Sequence, residues 1–423
     1  MTFIASPRRN WLRGVAGLSL GGVSLAAPLR GIAAGATDQW TRMAANYDIA
    51  PDFINLENAY YGIMPTPVAE DFKRNIDYLN RHNSHYLRSN FDRAGIEAIR
   101  AALAAHAGVA VSEIAITRGA TESLQNLIIN YKPLKPGETV MFGNLDYDTM
   151  IDAMNDLARR RGAQVATVQI PEPASRQAVI DTYEQALNRH PRTRLLLLTH
   201  ISHRTGLAIP VAEIVAMAKR RKVDVIVDIA QSWGQLDFRI PDLGADFVGA
   251  NLHKWIGAPL GLGFLYIREA RLQDIDIQLG NTIFPATDIR ARVNAGTVNA
   301  ASVMTIPAAL KYHAQVPLAE RGARLRTLRD YWVQRVLDVP GVQILTPEDP
   351  AMYGAVTSFR LRGKTSFEDN VALARRLMDE YGIFTVARSG PVGGACIRVT
   401  PAFFTRTADL DKLVAAIRAM AAS

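Results

Sequence analysis

Three groups of residues have the types and spacing for joint chemistry at one small organic group. Lys254 stands in Asn251-Leu252-His253-Lys254-Trp255, after a short apolar strand candidate (Phe247–Val248) and before Gly257-Ala258-Pro259-Leu260-Gly261-Leu262-Gly263, whose glycines permit close backbone approach. A lysine amine held there can capture an aldehyde, whereas a lone loop lysine is a solvated charge. Asp228 ends the strand candidate Val223–Val227, at a carboxyl edge where α/β proteins assemble their sites. A carboxylate so placed can pair with a ring nitrogen and keep it protonated; its plain alternative is a helix cap. Ala230 and Gln231 follow, positioned to lie against a ring and to hydrogen-bond a phenolic oxygen. Ile114–Thr117 leads through Arg118-Gly119 into Ala120-Thr121-Glu122, the order of strand, glycine turn and helix N-terminus whose free amides bind anions. Amine, carboxylate and anion site are the separate demands of pyridoxal phosphate (PLP) chemistry.

Taken together, Asp228-Ile229-Ala230-Gln231 and Asn251-Leu252-His253-Lys254 closely resemble the aspartate and lysine motifs of the class V aminotransferase group of fold-type I PLP enzymes. The resemblance implies that Lys254 carries the cofactor as a Schiff base, with His253 in the same cofactor-binding motif. Gly119-Ala120-Thr121-Glu122 resembles the family's phosphate cup, which assigns the phosphate to the Ala120 and Thr121 amides and the Thr121 hydroxyl. Three residues before the lysine the family usually places Ser or Thr on the phosphate; Asn251 stands there instead. Many relatives set a histidine on the ring face in the segment matching Asn144-Leu145-Asp146-Tyr147. Leu145 takes that slot here, and Tyr147 is either an aromatic face for the ring or a core residue.

Other segments carry further expectations from the same resemblance. Asn55-Leu56-Glu57-Asn58-Ala59-Tyr60-Tyr61-Gly62 with Pro65 is similar to the loop bordering the substrate, which points to Asn58 and Tyr61. Gly296-Thr297 is similar to the pair that reaches a partner subunit's phosphate, implying a homodimer. Arg398 matches the small-domain arginine that holds a substrate carboxylate, a task for a planar two-pronged donor. Cys396 beside it reads as a buried core thiol rather than a desulfurase nucleophile. Relatives have an asparagine in the loop containing His200-Ile201-Ser202-His203; His203 or Ser202 substitutes for it, and His200 reads as a satisfied structural histidine.

These residues need a frame. From Val68 to Ile267 helical segments alternate with short apolar ones, an α/β signature. The strand candidates are Ile114–Thr117, Thr139–Phe142, Gln164–Val168, Leu195–His200, Val223–Val227, Phe247–Val248 and Gly263–Ile267. Several are continuous apolar runs, as expected of a mostly parallel sheet buried on both faces. Pro210 opens an amphipathic helix over Val211–Arg221 with a basic end. After Gly296 the pattern changes to a long helix (Ser302–Leu337), strands near Ala355–Leu361 and Ala395–Val399, and a helix over Ala408–Ala421. The expected organisation is a large seven-stranded domain over residues 68–300 and a smaller α+β domain over 301–423, with 37–67 joining the latter; the resemblance spans Asp52–Ala421.

Composition bounds the function. The chain has 423 residues, 48% hydrophobic and 21% charged, as in globular proteins. Of the net charge of +8, four units are Arg8, Arg9, Arg13 and Arg30, in a stretch without acidic residues. The remainder has no basic run, which argues against nucleic acid and for an anionic small molecule as partner. Cys396 is the single cysteine, so no intrachain disulfide and no Cys/His metal cluster can form. Paired Arg8-Arg9, the apolar stretch Val15–Ala27 and Ala34-Gly35-Ala36 resemble a twin-arginine export signal over residues 1–36. The apolar stretch is too short to span a bilayer core of roughly 30 Å. A folded, cofactor-loaded periplasmic enzyme without a stable membrane anchor is expected, beginning near Thr37.

The resemblance is to the isopenicillin-N-epimerase-like branch, and export adds a similarity to the periplasmic PLP enzymes that tailor pyoverdine siderophores. It implies an enzyme acting on an amino acid or amino-acid-derived amine bearing a carboxylate, through an external aldimine, with Lys254 moving a proton at the α carbon. Aminotransferase-type transfer leads; a C–S lyase or epimerase is the alternative, and a non-catalytic PLP-fold binding protein is the alternative of another class.

Overall fold

A computed structural model describes residues 39–422; the proposed signal and its cleavage point lie outside them. The chain runs through β1 (Ile54–Asn55), then β2 (Ile114–Thr117), β3 (Thr139–Gly143), β4 (Gln164–Val168), β5 (Thr193–Thr199), β6 (Asp224–Asp228), β7 (Phe247–Asn251) and β8 (Gly263–Ile267). The last seven form one sheet in the order β2-β8-β7-β6-β5-β3-β4. β8 pairs antiparallel with both neighbours, and the other pairings are parallel.

Burial on both faces explains the unbroken leucines of β5. Leu196 and Leu198 pack into one hydrophobic cluster with Val225 and Val227, while Leu195 and Leu197 pack into another with Val140 and Ile226. All four leucines are wholly buried. Helices cover the faces: Ala120–Ile129 and Asp148–Arg161 belong to the second cluster, Arg176–Arg189 and Val211–Arg220 to the first. Register then decides what meets at the sheet's edge. Thr199 stands opposite Asp228, Asp228 opposite Gly249, and Asn251 opposite Gly263, whose other neighbour is Thr117. The residues that end β2, β5, β6 and β7 therefore converge at one edge.

A second sheet of β9 (Val342–Ile344), β10 (Thr357–Leu361), β12 (Val386–Arg388) and β13 (Cys396–Val399) is antiparallel in the order β12-β13-β10-β9. It has its own core, with Trp332, Phe359, Ile397, Leu413 and Ile417 from the sheet and the helices Leu318–Val333 and Thr407–Ala422. Leu56, just past β1, joins this core, and β1 pairs in parallel with β11 (Ile383–Phe384). Residues 54–56 thus pack with the second sheet, although far from it in sequence.

The long helix expected over Ser302–Leu337 is three helices, Ala300–Met304, Ile306–His313 and Leu318–Val333. Pro307 sits in the first turn of the second, and Pro317 caps the third; proline tolerates a first turn but not a helix interior. Phe247–Val248 lengthens to Asn251, because Ala250 is wholly buried and the strand still pairs with β8 there.

Candidate active site

A cavity of about 1040 Å³ opens where the carboxyl edge of the large sheet faces β12 and β13. Its wall includes Lys254, Asp228, Ala230, Gln231, Asn251, His253, Tyr147, Ala120, Thr121, Tyr61 and Arg398, so most of the predicted residues converge on one space.

Asp228 ends β6 with 4% exposure. One carboxylate oxygen accepts the Ala230 N–H at 2.7 Å, and the other has no hydrogen-bond partner among the described residues. Burial raises its pKa, and the nearby Lys254 opposes that shift. Lys254 follows β7, and burial pushes its amine down to about 8, against the attraction of Asp228. Desolvation disfavours the charged amine and so raises the fraction available as a nucleophile near neutral pH. The backbone here is crowded. Gly62 donates its N–H to the His253 carbonyl at 2.9 Å, and a Cβ at Gly62 would lie 2.0 Å from the Lys254 carbonyl oxygen, so only glycine fits. His253 is oriented by the Leu262 carbonyl, 2.9 Å from its Nδ1, and its ring lies 5.6 Å from that of Tyr61. Burial lowers His253 to about 4, leaving it neutral at pH 7.

The anion end differs in detail from the expectation. The Ala120 N–H is already taken: it donates to Asn251 Oδ1 at 2.7 Å. The free donors of this first helical turn are the Thr121 and Glu122 amides. With the Thr121 hydroxyl and the Asn251 amide nitrogen they form a cup beside Gly119, and the Glu122 side chain is turned away onto Arg118. Gln231 accepts from Trp255 at 3.2 Å and donates to the Ala59 carbonyl at 2.8 Å, which fixes its amide and leaves one N–H.

Leu145 faces the core at 5% exposure, and Tyr147 lines the cavity, edge-on to His203 with ring centroids 5.0 Å apart. The residue two after the leucine therefore supplies the aromatic wall. Of the pair in the next loop, His203 reaches the cavity, with Nε2 3.8 Å from Asp148, while Ser202 is buried and bonds the Leu145 carbonyl. His200 stays structural, its ring against Phe238, but its Nδ1 has no partner among the described residues, contrary to the expected satisfaction.

Two expectations change at the far end. Asn58 is 3% exposed and does not line the cavity; its amide donates to the Thr400 carbonyl at 2.9 Å and the Asn55 carbonyl at 3.1 Å. It fastens the residues after β1 to those after β13. Thr297, expected to reach a partner subunit's phosphate, is exposed and lines a small hollow that shares Arg118, Glu122, Gly261 and Asn294 with this cavity. Arg398 lines the cavity at 1% exposure, but its guanidinium is already paired with Glu57. Sequence reasoning missed Glu57, inside a motif it quoted, and Arg388, which ends the short strand β12 and lines the cavity. The available signal was that Arg388 and Arg398 each stand on a short strand, as a charged residue among apolar ones. Cys396 is wholly buried outside the cavity, its thiol raised to about 11 by burial.

A buried acid with one free oxygen, a desolvated lysine and a cup of unused donors suit a pyridine nitrogen, an aldehyde and a phosphate. The fold and this donor set define a fold-type I PLP-dependent enzyme. The family model described as aminotransferase class-V matches residues 65–418, and the chain belongs to that family. It is 26% identical over 404 residues to an isopenicillin N epimerase of Amycolatopsis lactamdurans, covering 90% of this chain and 98% of that protein. It is 28% identical over 393 residues to a cysteine desulfurase of Cronobacter sakazakii, covering 86% and 92%. The cysteine desulfurase CsdA of Escherichia coli superposes with a TM-score of 0.76 at 24% identity, covering 89% of this chain and 97% of that one, a likeness of fold.

Proposed function

We propose that this protein moves a proton at the α carbon of an amino-acid-derived, carboxylate-bearing amine, with Lys254 as both the cofactor's covalent anchor and the base. The observation that carries the reading is the placement of Lys254, Asp228, the Thr121–Asn251 cup and Arg398 on the wall of one cavity. Bound PLP supplies an electron sink that stabilises negative charge at that carbon. The free Asp228 oxygen would pair with the ring nitrogen, Thr121 and Asn251 would hold the phosphate, and Tyr147 and Ala230 would flank the ring. Lys254, once released by the substrate amine, takes the α proton, and its desolvation keeps it a usable base near neutral pH.

Transfer of the amino group is the leading outcome, and epimerisation, the activity for which two relatives are named, is the second reading. A desulfurase that uses its own thiol is disfavoured, since the single cysteine is buried away from the cavity. Export by the twin-arginine route to the periplasm and work on a peptide siderophore rest on residues 1–36 and family resemblance. The deciding experiment incubates cofactor-loaded protein with amino acids and a peptide siderophore precursor in deuterated water, with and without a keto acid, and identifies products by mass. Keto-acid-dependent amino product supports transfer, and deuterium with inverted configuration supports epimerisation. No deuterium at the α carbon of any substrate, together with no visible cofactor band that Lys254→Ala abolishes, sinks the reading.

A further inference from the structure

Glu57 is a buried carboxylate, 6% exposed, that stands behind the cavity wall rather than on it. Its backbone is held from both sides. The Glu57 N–H donates to Asn55 Oδ1 at 2.9 Å, Thr400 N–H donates to the Leu56 carbonyl at 2.7 Å, and the Asn58 amide closes the clamp on Thr400. This fixes the Glu57 side chain against β13.

Arg398 Nε donates to Glu57 Oε2 at 3.2 Å, its Nη2 donates to Oε1, and its Nη1 donates to the His203 carbonyl at 2.5 Å. Three of the five guanidinium N–H groups are thereby used, and Nη1 and Nη2 keep one each. Arg388 Nη2 reaches the same Glu57 Oε1 at 3.4 Å, and its buried Nε has no partner among the described residues. The other arginines on the cavity wall are paired locally: Arg118 with Glu122, and Arg204 with Asp148. Two guanidiniums therefore share one carboxylate at this end.

Resting on the reading above, we propose that Glu57 is a positioning residue: it holds Arg398 by its side face and tethers Arg388, so that the pair presents one net positive charge and free N–H groups to a single substrate carboxylate. Glu57 touches no substrate. A plain buried ion pair would serve the fold alone and would not distinguish ligands with and without a carboxylate. The charge count favours a substrate with one carboxylate at this end over one with two.

The test uses the full chain loaded with PLP and two amine probes, L-alanine and L-alaninamide, which differ in the carboxylate; binding is read from the change in the visible cofactor band. Glu57→Gln, which keeps shape and removes charge, is expected to weaken L-alanine by about tenfold or more, the scale of one charge-assisted hydrogen bond, and to leave L-alaninamide within about twofold. Glu57→Asp should recover part of the loss. Equal weakening of both probes, no change, or tighter L-alanine binding would overturn the proposal, the last because Glu57 would then be a competitor for Arg398. If Glu57→Gln does not fold, Arg388→Lys is measured in the same way and is expected to weaken L-alanine selectively; an unchanged ratio overturns the proposal. If the unmutated protein has its cofactor band but responds to neither probe, the amine-substrate reading itself fails.

Discussion

Asp228, Asn251 and Gly119 sit at or just past neighbouring strand ends of a single sheet, whereas Glu57, Arg388 and Arg398 come from segments 331 and 341 residues apart in the chain. The first group is placed by register: a ladder packed on both faces cannot slip by one residue without driving every leucine and valine into the opposite, differently shaped core. The second is placed by a charge shared among three side chains and by one asparagine clamp. The cofactor half of the cavity is thus a property of one rigid sheet, and the substrate half a property of how two pieces of chain meet. A lost side chain should cost chemistry in the first half and stability in the second.

The largest expected effect breaks the second half. Arg398→Ala leaves Glu57 buried with only the longer Arg388 contact, and equilibrium denaturation should show a loss of about 3–5 kcal/mol. Replacing both partners, as in Glu57→Leu with Arg398→Met, should restore most of that stability but not the grip on a carboxylate. Asp228→Asn tests the first half: the fold should hold, since the Ala230 N–H can still donate to the side-chain carbonyl, while turnover should fall by about 10²–10³, the scale for one preorganised electrostatic partner. An unfolded Asp228→Asn protein would erase the distinction. Asn58→Ala removes donors to two carbonyls and should cost about 1–3 kcal/mol in thermal or denaturant unfolding, with cofactor binding unchanged.

The smallest effect is on pH. In the proposed role the neutral Lys254 amine would capture the aldehyde, and its pKa is lowered to about 8. Capture of PLP by apo-protein, followed by stopped-flow absorbance, should therefore be fast above pH 8 and slow by about tenfold per unit below it. A profile that continues to rise to pH 10 would mean that burial does not depress the amine.

The sheet was legible because its signals are local. Continuous runs such as Leu195–Leu198 announce strands buried on both faces, and Asp228 and Lys254 stand in short motifs just beyond such runs. What escaped depends on contacts distant in sequence. The use of the Ala120 amide by Asn251, 131 residues away, was invisible, and so was the turning of Asn58 onto Thr400. Glu57 lay in a quoted segment, but its partner became clear only when β1 was found packed with the second sheet. Helix breaks at Pro307 and Pro317 were readable by the proline rule alone.

The clamp between Asn58 and Thr400 also sets an order in time. A ribosome delivers the N-terminal residues first, so the strand ends bearing Asp228 and Asn251 can pair while Arg398 is still unsynthesised. A chain stopped short of residue 388 would hold the parts of a cofactor cradle and neither arginine for the substrate. The reactive lysine is made well before the arginine whose side chain helps close the cavity around it.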